Sequence, residues 1–161
     1  MNNKIEIKNP YRGVKGYNCF GCSPENTNGL KMKFEVDGEN IVCEWKPKDY
    51  LQGYHDVLHG GIQATLMDEI ASWFVQTKIG TAGVTSELKV KYLKPVYTNN
   101  GNIFLESGLK NKRKNLVDIW VKLMDVNKTV CAEAVVTYFT FPEKIAIEKL
   151  HYPGKKAFFP F

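Results

Sequence analysis

One stretch limits the fold of this chain more than any other. From about 61 to 78, Ile62, Ala64, Leu66, Met67, Ile70, Ala71, Trp73, Phe74 and Val75 spread over most of a helical circumference, and Gly80 supplies a stop. A helix that is apolar nearly all round has to be wrapped on several sides. The rest of the chain to about 141 reads as strand. Val84, Ser86, Leu88, Val90 and Tyr92 alternate with Thr85, Glu87, Lys89 and Lys91, and further strands are expected over about 102–109, 115–125 and 129–141. Ahead of the helix, two short alternating runs (30–36 and 41–45) flank Asp37-Gly38, a hairpin signal. This order predicts an α+β fold, a long central helix wrapped by a five- to six-stranded antiparallel sheet. The 161 residues suit a single domain with its core at about 28–141, an irregular lead-in over 1–27 and a tail over 142–161.

Charge and composition narrow the function classes. The net charge of +5 is scattered. Its densest cluster, Lys110 to Asn115, sits between two expected strands and reads first as a solvated turn, second as a patch for a phosphorylated ligand such as the nucleotide end of coenzyme A. The aromatics follow core patterns and not this cluster, which argues against nucleic acid. No stretch approaches the roughly 20 apolar residues of a membrane span, and Met1 to Lys15 hold no apolar run, so a cytoplasmic location without membrane contact is expected. Cys19-Phe20-Gly21-Cys22 has metal or redox spacing. A zinc site would have to recruit distant residues from among Cys43, Cys131, His55, His59 and His151. The expectation is free thiols shaping a turn before Pro24, with no metal and no cofactor.

Two features of the helix suggest chemistry. His59-Gly60-Gly61 opens it, leaving backbone N–H groups without intrahelical partners at the positive end of the helix dipole. Glycine leaves room for a ligand there, so a carbonyl oxygen could accept from the Gly60 N–H and be stabilised during attack. Asp68, with Glu69 beside it, lies mid-helix among apolar residues, where aspartate is a poor helix former and charge is costly. A carboxylate so placed suits attack on a carbonyl or activation of water. His59 reads as a hydrogen-bonded turn residue, and not as a base.

Leu58-His59-Gly60-Gly61 with Leu66-Met67-Asp68, the acid falling nine residues after the histidine, resembles the hotdog-fold acyl-CoA thioesterases of the phenylacetic-acid-pathway type. Gly83-Val84-Thr85 and Tyr92-Leu93-Lys94-Pro95 are similar to that family's strand after the helix, and Asn18 to Cys22 with Asn28-Gly29-Leu30 to a cysteine-bearing subgroup. The resemblance implies a hotdog fold and an acyl-CoA substrate. It implies that the Gly60 N–H polarises the thioester carbonyl, that Asp68 of a neighbouring subunit serves as nucleophile or general base, and that Thr85 helps position the attacking water. His59, Gly61, Gln52 and Glu69 are expected around the substrate. A homodimer is implied, with a dimer of dimers (a homotetramer) as the larger form. Relatives place an asparagine six or seven residues before the histidine, where this chain has Gly53 and Gln52; the Gln52 amide is the available replacement. The alternative is a non-catalytic acyl-CoA or small-ligand binding protein on the same fold.

Overall fold

The computed structural model describes residues 3–160. The long helix, α1, spans Gly60–Phe74 and continues into a wider turn over Val75–Ile79. Gly80 ends it in the left-handed region (φ 86°), a conformation that costs glycine nothing. The helix buries Leu66, Met67, Ile70, Ala71, Trp73 and Phe74. Each large side chain among these contributes roughly 1.5–3 kcal/mol on full burial, so the helix is held by its packing far more than by its own propensities.

The sheet has seven strands, one or two more than expected. They are β1 (Ile5–Glu6), β2 (Glu35–Asp37), β3 (Asn40–Trp45), β4 (Gly83–Tyr92), β5 (Ile103–Arg113), β6 (Leu116–Met124) and β7 (Val130–Thr140). They pair in the order β1-β2-β3-β5-β6-β7-β4, antiparallel throughout. The additional strand is β1, only two residues long and exposed, too short for alternation to reveal. Inward residues alternate along each strand: Ile41, Cys43 and Trp45 on β3, and Val117, Ile119, Val121 and Leu123 on β6, all buried in the core around α1. This sheet curled around one helix is the hotdog fold. β4 forms one end of the sheet, with Val84, Leu88 and Tyr92 exposed.

Two other differences from the sequence reading have physical causes. Residues 30–34 alternate in burial but do not join the ladder, because the backbone N–H groups of Leu30 and Met32 bond to the Phe20 and Gly21 carbonyls of the cysteine turn. The tail contains a second helix, α2 (Glu143–Leu150), in which only Ala146 is buried. The tail then docks on the body. Phe158 is fully buried edge-on to Trp73 at 5.4 Å between ring centroids, and Phe34 stacks on Trp73 at 4.8 Å. Phe161, the last tail aromatic, lies outside the described residues. The Lys110 to Asn115 cluster forms the exposed end of the β5–β6 hairpin, with Arg113 paired to Asp118 at 3.1 Å. No helix among the described residues is long and apolar enough to cross a membrane.

Candidate active site

The start of α1 is built by His59. Its Nδ1 accepts the Gly61 N–H at 2.9 Å, and its carbonyl accepts from Ile62 and Gln63 at 3.0 Å. These bonds satisfy the first free donors of the helix except one. The Gly60 N–H has no partner among the described residues. The Gly60 carbonyl is in turn held by the Tyr92 hydroxyl at 2.7 Å, which ties the turn to the edge strand. His59 therefore acts as the turn residue its position suggested.

Asp68 lies two turns further along. Thr85 Oγ1 donates to its Oδ1 at 2.8 Å, and the Tyr138 hydroxyl reaches the same oxygen at 2.7 Å and the Asp68 carbonyl at 2.9 Å. No hydrogen bond reaches Oδ2 among the described residues. Thr85 and Tyr138 are direct cross-strand partners on β4 and β7, and the strand bulges between Thr85 and Glu87. A bulge beside a site re-aims the chain where regular alternation would not. Burial and the neighbouring Asp68 charge push the Tyr138 hydroxyl well above its ordinary pKa, so it stays a proton donor. Tyr138 was not among the expected residues. A tyrosine on an inward strand position needs a partner for its hydroxyl, but which partner depends on register between distant segments.

Gln52 pairs with Leu58 beside the His59-Gly60 turn, whereas Glu69 lies elsewhere. The Gln52 side chain is exposed, and its Oε1 accepts the Asp56 N–H at 2.8 Å, closing its own loop. Glu69 points away from the Asp68 donors into the N-terminal segment. Its Oε1 accepts from the Trp73 indole at 3.2 Å and from the Cys19 thiol at 3.4 Å. Burial and then the nearby Cys19 raise its carboxyl to about 7. Hydrogen bonding with Cys22 leads the causes that lower the Cys19 thiol to about 5, while Cys22 is raised. The polar residues of α1 and the turn after it face two ways: Asp68 faces β4 and β7, while Glu69 and Gln76 face the N-terminal segment.

Gly60 and Asp68 of one chain are eight residues apart on one helix, about 12 Å along its axis. One carbonyl group cannot touch both, since a hydrogen bond and an attack distance each require about 3 Å.

The Thioesterase superfamily family model matches residues 55–132, from the loop before α1 to the start of β7. A protein of Saccharolobus solfataricus named as a candidate esterase is 34% identical over 89 residues, covering 54% of this chain and 57% of the relative. Acyl-coenzyme A thioesterase 13 of Mus musculus is 33% identical over 58 residues, covering 35% of this chain and 41% of the relative. The chain thus spans about half the length of the curated relatives it matches. Among solved structures, smu.793 from Streptococcus mutans, bound to acetyl CoA, is similar with a TM-score of 0.65 at 18% identity, over 82% of this chain and 98% of that one. At that identity the likeness concerns the fold. The chain thus has the hotdog fold of that solved structure, and its residues 55–132 are similar to the thioesterase superfamily.

Proposed function

We propose that the protein hydrolyses an acyl-CoA thioester at a site shared by two copies of the chain. The observation that carries this reading is the grip on Asp68. Two hydroxyl donors hold Oδ1 and leave Oδ2 free, while an unpartnered N–H waits at Gly60, too far away to serve the same carbonyl within one chain. In a pair, Gly60 of one copy faces Asp68 of the other. The Gly60 N–H binds the thioester oxygen. Asp68 Oδ2 takes a proton from water, and the hydroxide adds to the carbonyl carbon while negative charge collects on the oxygen at Gly60. The C–S bond then breaks, and the thiolate leaves with the proton returned from Asp68. Direct attack by Oδ2, followed by hydrolysis of the resulting anhydride, uses the same geometry.

The uncovered β4 edge supports pairing of two copies, since a ten-residue strand with exposed Val84, Leu88 and Tyr92 leaves a row of backbone groups open. The relatives' names support the thioester, and the acetyl CoA in the Streptococcus structure supports a CoA carrier. The test is thiol release across a panel of acyl-CoA substrates by wild type and Asp68→Asn. Turnover is expected to fall by about 10²–10⁴-fold in the variant, the range for loss of a general base. Wild-type turnover in that variant overturns the mechanism. One observation favours a second reading, ligand binding without turnover: the Gln52 amide oxygen is committed to Asp56. It predicts saturable acyl-CoA binding with no thiol released by wild type.

A further inference from the structure

The two cysteines of the N-terminal turn do not lie alone. Cys19 Sγ, Cys22 Sγ and a Glu69 carboxylate oxygen all lie within 4.8 Å of one another. None of the cysteines or histidines weighed from the sequence completes this group; a helix carboxylate does. Both sulfurs lie outside the stretch that matches the thioesterase superfamily.

We propose that Cys19, Cys22 and Glu69 bind a zinc ion, with water in the fourth position. Thiolate and carboxylate together are a borderline-soft donor set that suits Zn²⁺. Tetrahedral zinc, at about 2.3 Å from sulfur and about 2.1 Å from oxygen, holds such atoms roughly 3.5–3.8 Å apart. Closing from 4.8 Å is within the reach of side-chain rotation.

The surroundings fit a cation better than a set of neutral acids. Two of the ligands have a donor behind them, the outer arrangement that orients metal ligands. The Trp73 indole holds Glu69. The second donor is Tyr17: its hydroxyl oxygen accepts from Asn9 Nδ2 at 3.0 Å, which directs its own proton to Cys22 Sγ, also at 3.0 Å. The Asn9 amide is fixed in that orientation because its Oδ1 accepts the Tyr11 N–H. No lysine or arginine pairs with Glu69 among the described residues, so a divalent ion supplies the missing positive charge.

The main chain also makes room. A Cβ on Gly21 would fall 2.4 Å from the Glu69 carboxyl carbon, so a larger residue there would have to move the carboxylate that the turn closes over. Cys19 and Glu69 open on a cavity of about 470 Å³ that reaches Tyr138, which is where the water ligand would sit. A Cys19–Cys22 disulfide would have to withdraw Cys19 from Glu69 and Cys22 from Tyr17. On binding, Zn²⁺ displaces the thiol protons to solvent, and the ion ties the N-terminal segment to α1.

The full chain, purified under reducing conditions without chelator, should carry one zinc by elemental analysis. After chelator stripping it should take up Zn²⁺ against a chromophoric competitor, and Co²⁺ should give thiolate-to-metal charge-transfer absorption. Cys22→Ser and Glu69→Gln should lose stoichiometric binding. Tyr17→Phe, which keeps the ring and all three ligands, should weaken affinity by about 10–100-fold while the metal-free protein still folds. Metal-free wild type that takes up no Zn²⁺, or that forms a Cys19–Cys22 disulfide in its place, overturns the proposal. So does Cys22→Ser that binds as well as wild type. Asp68→Asn should keep its zinc, so the metal site and the thioester chemistry stand or fall separately.

Discussion

At the scale of single residues, the candidate site rests on one oxygen with two donors. Thr85→Val and Tyr138→Phe each remove a hydrogen bond to a charged group, worth about 1.5–3 kcal/mol. If those bonds aim Oδ2, each variant should lose roughly 10–100-fold in kcat with little change in KM. Because both donors serve Oδ1, the double variant should lose less than the product of the two, a coupling that a double-mutant cycle measures. Unchanged kcat with lowered stability would make them structural bonds only. Gly60 and Asp68 were legible as candidates because a glycine turn and a mid-helix acid break local rules, and Thr85 through the family resemblance. Tyr138 was not, because its hydroxyl meets Asp68 only through the pairing of β4 with β7, and pairing register leaves no local mark. Glu69 looked like a neighbour of Asp68. On a helix, adjacent residues point about 100° apart, and that angle separates the two sites.

Among the elements, α1 depends on what covers its C-terminal half. Phe158→Ala removes the edge-on contact to Trp73 and should cost about 3–5 kcal/mol in chemical denaturation. Tyr152 joins the same cover, donating its hydroxyl to the Gln76 carbonyl at 2.8 Å. Burial pushes this tyrosine up to about 12, above its ordinary value of 10. The folded protein therefore holds the proton that the unfolded chain gives up, and stability should be full below pH 10 and fall as pH rises towards 12. Unfolding followed at about pH 9 and about pH 11, either side of the unfolded value, should show the loss in wild type and a smaller one in Tyr152→Phe. The long helix and the main strands were legible because their periodicity spans many residues. The helix α2 was not, since a single buried alanine gives almost no apolar face. Residues 30–34 have the alternation of a strand but give their backbone bonds to the cysteine turn, a competition between long-range partners that pattern does not record.

For the whole molecule, the proposed sharing of the site makes the strongest prediction. In solution the mass should be a multiple of the 18.4 kDa chain, at least twofold. Gly60→Pro deletes the single N–H while keeping the helix, since proline is favoured at the first helical position and His59 (ψ 134°) already has the extended backbone that precedes proline. Gly60→Pro and Asp68→Asn should each be inactive alone. Co-expressed, they should recover activity, because each mixed pair carries one intact site and one doubly damaged site. No recovery in verified mixed pairs would mean that each chain works by itself. The packing of Trp73 between Phe34 and Phe158 also sets the timing of biosynthesis. Residue 158 is made 85 residues after residue 73, roughly 4–17 s later at elongation rates of about 5–20 residues per second. Through that interval the nascent chain holds its central tryptophan half-covered, and Trp73 becomes fully enclosed only once Phe158 has emerged from the ribosome.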